Sequence, residues 1–218
     1  MMVKTRMTPN PITATPDMGV LDALKLMRKH NVRRLPVLED DKLIGIVVES
    51  ELLRVAPSPA TTLSVFEMNT ILNKMPVREV MTPDPVTVTP DTLIEEAAVL
   101  MRENVVSGLP VLDDGKLVGI ITETNIFDAF VDSMVLRSNG IRLSLETEDK
   151  PGVLADITRI IRDHGISIIS LATFYEGQAK RSIVLRLDTA DSDAVIQDLE
   201  KAGCTVTHLA HMAQWGER

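Results

Sequence analysis

The sequence predicts a mixed α/β and α+β protein: two βαββα units packed as a pseudo-two-fold pair, then a C-terminal ferredoxin-like βαββαβ domain. Three observations predict it. The first is an internal duplication. Met7-Thr8-Pro9 returns 74 residues on as Met81-Thr82-Pro83, and Leu35-Pro36-Val37-Leu38 returns as Leu109-Pro110-Val111-Leu112. The register holds without a gap from Met7 to Phe127. Two copies fall short of the three or more that a solenoid stacks into a continuous core, but they can pair about a two-fold axis and leave matching clefts. The second observation is that each copy alternates β-branched runs with one helical stripe. The third is that the last third of the chain reads strand, helix, two strands, helix, strand.

Within each copy the elements follow in order. Pro11-Ile12-Thr13-Ala14 and Pro85-Val86-Thr87-Val88 are short β-branched runs, expected as strands. Thr15-Pro16-Asp17 and Thr89-Pro90-Asp91 then stop the strand, since proline has no N–H for the ladder, and are expected to cap a helix. Val20, Ala23, Leu24 and Met27 fall at i, i+3, i+4 and i+7, and Ile94, Ala97, Ala98 and Met101 repeat that stripe. A hairpin follows, Leu35–Leu38 with Leu43–Val48 and its second-copy equivalent. The second copy turns at Asp113-Asp114-Gly115-Lys116, where Asp-Gly favours a tight turn. A last helix opens at Glu49-Ser50-Glu51 or at Glu123-Thr124-Asn125.

Between the copies, Ala56-Pro57-Ser58-Pro59-Ala60-Thr61 is a loop by composition, and residues 63–73 are expected to form a short helix. After the second copy, Ile126, Phe127, Phe130, Val131 and Met134 form an apolar stripe, so the last helix is expected to continue toward Asn139-Gly140. Ile141, Leu143 and Leu145 alternate with polar residues, the pattern of a half-buried strand. Asp149-Lys150-Pro151-Gly152 turns into a helix with an apolar face of Val153, Ile157, Ile160 and Ile161, and Gly165 stops it. Strands are expected near 166–174 and 181–187, then a helix with Val195, Leu199 and Ala202, then a strand near 204–209.

Composition narrows the function. At 218 residues and 44% hydrophobic, the chain can bury an ordinary core. A net charge of −8 argues against nucleic acid as a partner, and 3% aromatic residues leave few rings for base stacking. One cysteine, Cys204, rules out an internal disulfide framework and fits a reducing, cytoplasmic setting. The start, Met1-Met2-Val3-Lys4, carries no apolar stretch of a signal peptide, and no apolar run approaches ~18 residues, so no membrane role is expected. His208 and His211 are three apart on an expected strand and face opposite ways, a poor metal pair. No nucleophile elbow, P-loop or Rossmann fingerprint occurs, and an enzyme is not expected.

The duplicated Met-Thr-Pro, the Thr-Val run, the Leu-Pro-Val strand and the Gly-hydrophobic run into the last helix resemble a tandem pair of CBS motifs, the Bateman module. The resemblance covers roughly residues 4 to 135. It implies two clefts that bind an adenosyl regulatory ligand, AMP, ADP, ATP or S-adenosylmethionine, with no cofactor required. Nucleotide-binding positions carried over in the first motif are Thr13, Ala14, Arg33, Arg34, Leu35, Pro36 and Glu51. In the second they are Thr87, Val88, Ser107, Gly108, Leu109, Pro110, Thr122 and Asn125. The family grips its ligand with a Ser or Thr after the Gly-containing strand and an Asp three residues on. Here those positions hold Thr122 and Asn125 in one motif, Val48 and Glu51 in the other. A carboxylate offers a ribose two acceptor oxygens and an amide only one, so the departures bear on ligand identity, and Thr122 gives the second motif the better ribose chemistry. Arg33 and Arg34 suit a phosphate tail, against the plainer reading of a solvated edge.

The insert and the final third resemble acetoin-utilisation accessory proteins of the AcuB type, which carry two CBS motifs and then an ACT domain. Asp149-x-Pro151-Gly152-Val153-Leu154 followed by Gly165-Ile166-Ser167-Ile168 resembles an ACT domain over about residues 139 to 212. The resemblance implies an amino-acid effector site at Asp149, Gly152, Val153, Leu154 and Ser167, or an ACT domain that only pairs subunits. Expected domains are 1–79 (first CBS motif with insert), 80–138 (second motif and connecting helix) and 139–218 (ACT). A homodimer is expected, since both modules commonly self-pair.

Overall fold

The computed structural model describes residues 1–55, 72, 74–134, 139–176 and 180–212, and the chain divides into two compact units, Met1–Phe127 and Asp128–Arg218. The first unit holds two three-stranded antiparallel sheets. Strand β1 (Thr8–Pro9) lies in the order β1-β6-β5, with β5 at Gly108–Asp113 and β6 at Lys116–Thr122. Strands β2 (Arg34–Glu39), β3 (Lys42–Val48) and β4 (Thr82–Pro83) form the other sheet in that order. β3 and β6 lie against each other where the sheets meet. Helices α1 (Val20–His30) and α2 (Glu49–Arg54) serve the first copy, and α3 (Ile94–Asn104) and α4 (Glu123–Ser133) the second. The stripe of α1 is fully used: Val20, Ala23 and Met27 are 0% exposed and Leu24 4%. Both hairpins turn through two left-handed residues, Asp40-Asp41 and Asp114-Gly115, the primed geometry that matches strand twist.

The copies exchange their opening segments. Val3 packs in the core of the second copy with Val88, Leu109 and Ile121, while Val77 packs in the first with Val20, Leu35 and Val47. β1 pairs with β6 and β4 with β3, so Met-Thr-Pro supplies a third strand to the sheet of the other repeat. The close approach requires glycine. A Cβ on Gly45 would sit 2.5 Å from Met81 Sδ and 3.0 Å from the Thr82 carbonyl oxygen, and Gly119 meets Met7 in the same way.

The exchange corrects two expectations. Thr15-Pro16-Asp17 and Thr89-Pro90-Asp91 do not cap the helices, which begin at Val20 and Ile94 after Gly19 and Leu93. The first helical N–H groups instead donate to the exchanged segments, Val20 to Met75 O at 3.0 Å and Ile94 to Met1 O at 2.9 Å. A backbone acceptor brought in from afar removes the need for a side-chain cap. Pro11–Ala14 and Pro85–Val88 are extended but touch the sheets only at single parallel bridges, Ala14 to Val37 and Val88 to Val111. The helix expected over 63–73 lies outside the described residues except for Leu72, which is buried.

The second unit is a four-stranded antiparallel sheet in the order β10-β7-β9-β8, the ferredoxin-like arrangement. Its strands are β7 (Gly140–Glu148), β8 (Ile168–Glu176), β9 (Lys180–Leu187) and β10 (Thr205–Met212); α5 (Val153–Asp163) and α6 (Asp193–Lys201) join them. Ile141, Leu143 and Leu145 meet Val153, Ile157 and Ile161 of α5 and Val195 and Leu199 of α6 in one core. Cys204 joins that core, and burial raises its thiol pKa. Gly165, at φ +70°, ends the turn after α5 as expected. The expected helix stops at Lys201, so Ala202 lies one residue past α6 and is exposed. The connecting helix ends at Ser133, and Phe127 and Phe130 of its stripe are 65% and 57% exposed rather than buried.

Gly45→Ala is expected to lower stability by about 1–3 kcal/mol through overpacking. Met81→Ala in the same chain should recover part of that loss, because it removes the crowded sulfur; a double-mutant cycle from denaturant unfolding measures the coupling. Additive losses would contradict the packing account.

Candidate functional site

Two clefts lie in the first unit, and each is built from both repeats. The first, about 640 Å³, has one wall from the first copy, Thr8 and Asn10–Ile12 with His30–Arg34, and the other from Ile120, Thr122 and Thr124 of the second. The second, about 550 Å³, presents the same positions 74 residues away: Thr82 and Asp84–Val86, Asn104–Gly108, and Ile46, Val48 and Ser50. Thr122 therefore faces Arg33 and Arg34 across one cleft, while Val48 and Glu51 share the other with Ser107 and Gly108. Motif by motif along the chain, the Arg pair and Thr122 belong to different pockets. The two-fold pairing crosses them over.

Thr122 and Asn125 form a closed cap on α4. Thr122 N–H and its hydroxyl donate to Asn125 Oδ1 at 3.0 and 2.7 Å, and Asn125 N–H donates back to Thr122 Oγ1 at 3.3 Å. Thr122 borders the cleft; Asn125 is not among its lining residues and its carbonyl oxygen is already engaged. In the other copy Val48 can make no such cap, and Glu51 points one carboxylate oxygen, Oε2, into a buried position without a partner. Arg34 donates from Nη2 to Ser107 Oγ at 2.6 Å. Burial lowers the Arg34 pKa, Glu123 opposes that shift, and Arg33 adds to it.

Other carried-over positions sit in the cores. Leu35 and Leu109 are 0% exposed, Ala14 2% and Val88 5%, and Pro36 and Pro110 are buried. None of them lines a cleft, nor do Thr13 and Thr87. The strand pleat turns Leu35 and Val37 toward the helices and leaves Arg34 facing the cleft. The sequence reading missed Asn10, Ile12 and His30 with their counterparts Asp84, Val86 and Asn104, and also Arg54. The duplicated Thr-Pro immediately before Asn10 and Asp84 was the available signal.

Val105 rims the second cleft in a left-handed conformation, φ 54°, and is 91% exposed. Its counterpart Asn31, φ 53°, suits that geometry; a β-branched residue does not.

In the second unit, Asp149–Ala155 and Arg181 line a hollow of about 600 Å³ at the start of α5. Gly152 holds φ +91° there. Arg181 pairs with Asp149 at 2.8 Å, donates to the Tyr175 hydroxyl at 3.0 Å, and keeps Nε buried without a partner. Asp149, Gly152, Val153 and Leu154 are thus brought together; Ser167 is not among the lining residues, and its carbonyl accepts the Asp188 N–H. Among the described residues no cluster of metal-ligating side chains occurs, and no helix is long and apolar enough to cross a membrane.

Paired βαββα motifs with exchanged openers and two composite clefts define the class of tandem CBS modules, here followed by a ferredoxin-like ACT fold. The CBS domain family model matches residues 3–58 and 77–132, over half of the chain, and the chain belongs to that family. The ACT domain model matches residues 141–204. An uncharacterized protein of Methanocaldococcus jannaschii is 34% identical over 155 residues, 60% of this chain and 92% of that protein. Inosine-5'-monophosphate dehydrogenase of Korarchaeum cryptofilum is 32% identical over 117 residues, 53% of this chain but 21% of that enzyme. Among solved structures, CBSX2 of Arabidopsis thaliana in complex with AMP has 35% identity and a TM-score of 0.50, covering 60% of this chain and 96% of that one. A CBS domain pair solved with 5'-methylthioadenosine and S-adenosyl-L-methionine has 28% identity and a TM-score of 0.50, covering 61% and 97%. An acetoin utilization protein (AcuB) of Vibrio cholerae has 28% identity and a TM-score of 0.51, covering 62% and 94%.

Val105→Asn is expected to raise stability by about 1 kcal/mol, because asparagine tolerates the left-handed region that valine enters only under strain. Thermal unfolding measures it; an unchanged or lower midpoint would contradict the strain.

Proposed function

We propose that this chain is a ligand-sensing regulatory protein rather than an enzyme, binding an adenosyl ligand in its CBS clefts and passing the signal to a partner. One observation carries the reading: Thr122, Arg33 and Arg34 border the same cleft although they come from different repeats. A guanidinium pair matches phosphate oxygens, and a hydroxyl meets a ribose or phosphate oxygen. Ile12, Val32 and Ile120 offer an apolar slot for a base. The complexes of similar CBS pairs with AMP and with S-adenosyl-L-methionine support the same ligand class. No cofactor is needed for such a role, and a cytoplasmic setting suits it.

The hollow at α5 supports an amino-acid effector on the ACT domain. The first turn of a helix attracts a carboxylate, Gly152 permits close approach, and Arg181 borders the space. Exposed Phe127 and Phe130 support a homodimer, since two large rings on one helix face are commonly covered.

Calorimetry with AMP, ADP, ATP and S-adenosylmethionine tests the adenosyl reading. At least one should bind. Thr122→Val should weaken it by about 0.5–1.5 kcal/mol, the order of one hydrogen bond. No heat with any of the four would sink the proposal.

A further inference from the structure

We infer that the two clefts are built for different ligands, one bearing phosphate and one without, because a single guanidinium serves both. The inference rests on the adenosyl reading above and adds a division of labour to it. About half of the cleft positions are matched between the repeats in kind; among those that differ, Arg33 and Arg34 correspond to Ser107 and Gly108. That difference lets Arg34 cross to the other repeat. Its guanidinium reaches Ser107 Oγ at 2.6 Å, and its stem lies over Gly108, where a Cβ would come within 2.9 Å of Arg34 Cδ. Any side chain at position 108 would displace it. Arg34 borders both clefts and also the hollow of about 490 Å³ between them, which Arg33, Ser107 and Glu123 share. Its Nε is buried without a partner, so it still has a donor to give.

The charges left when Arg34 is set aside differ in sign. The first cleft keeps Arg33, with no carboxylate in its wall. The second holds Arg54 against two carboxylates, Glu51 and Asp84. A phosphate in the first cleft gathers Arg33 and draws Arg34 off Ser107, which leaves the second cleft with a negative balance. A second phosphate there meets repulsion. Glu51 Oε2, buried and unpartnered, calls for a hydrogen-bond donor such as a ribose hydroxyl. The second cleft therefore fits an adenosyl ligand whose tail is neutral or cationic, a nucleoside, thionucleoside or sulfonium, and it stays available while the first holds a nucleotide.

Equilibrium dialysis of the full chain with AMP and 5'-methylthioadenosine, singly and together, tests this. The expected result is one AMP per chain at saturation, and one 5'-methylthioadenosine added on top of saturating AMP without displacing it. Arg34→Met should weaken AMP by about tenfold or more, as loss of a charge-assisted pair does, and change 5'-methylthioadenosine binding on top of saturating AMP by less than about twofold, because the AMP complex already draws Arg34 off the second cleft. Arg34→Lys keeps the charge but loses the fork, and should fall between. Two AMP bound with equal affinity would overturn the inference, as would one-for-one displacement of AMP by 5'-methylthioadenosine, or an Arg34→Met effect equal on both. Those outcomes leave the adenosyl reading standing. Binding of neither ligand would remove both.

Discussion

The reciprocal docking of Val3 and Val77 is the contact on which the first unit depends. Each valine closes the core of the repeat that does not follow it directly, and each brings a short strand with it. The same segments accept the opening N–H groups of α1 and α3. Helix starts, sheet edges and the meeting of β3 with β6 are thus consequences of one exchange. Without it neither repeat could present a finished wall to the other, and the clefts would have no fixed shape.

A two-fold pair built from one chain has a freedom that a homodimer lacks. Its backbone can stay symmetric while its side chains diverge. Here the divergence includes cleft positions, Arg33 and Arg34 against Ser107 and Gly108, Thr122 against Val48 and Asn10 against Asp84, and the capping Asn125 against Glu51. The scaffold needs the hairpins, the helix stripes and the close-approach pair Gly45 and Gly119 in both copies, so those stay alike. Charge and hydrogen-bonding capacity in the clefts are under no such constraint in both copies at once, and much of the difference falls there. A guanidinium at one position and a hydrogen atom at its mate is the extreme case, since the small residue makes room for the large one.

Much of this architecture was legible in the sequence because periodicity reports burial. The stripes of α1, α3 and α5 and the alternation of β7 each point to a face that must leave water, and each does. The exchange was not legible. Met-Thr-Pro reads the same whether it docks on its own repeat or on the other, and pattern carries no address. For the same reason the helix starts were misplaced: local chemistry offered Thr and Asp as caps, and a distant carbonyl took the role. The candidate site suffered most. Leu35 and Leu109 belong to motifs beside the clefts but are themselves buried, since residues adjacent along a strand point to opposite sides; Pro36 and Pro110, on the other side of their strands, are buried as well. Arg34 and Thr122 were individually visible, yet only the three-dimensional pairing brings them to one cleft.

The exchange also imposes an order on the birth of the molecule. The opening strand, Thr8–Pro9, waits for a partner that lies more than a hundred residues downstream at Gly119–Ile120. As the chain leaves the ribosome, the first repeat cannot close its own core until Val77 has emerged, and its N-terminal segment stays unclaimed until the second hairpin is complete. Pairings so distant in sequence are slow to form because a long loop must close before any contact rewards it. During synthesis the apolar Val3 therefore waits for Val88, Leu109 and Ile121 before it is covered, and apolar surface left unpaired that long is open to misassembly.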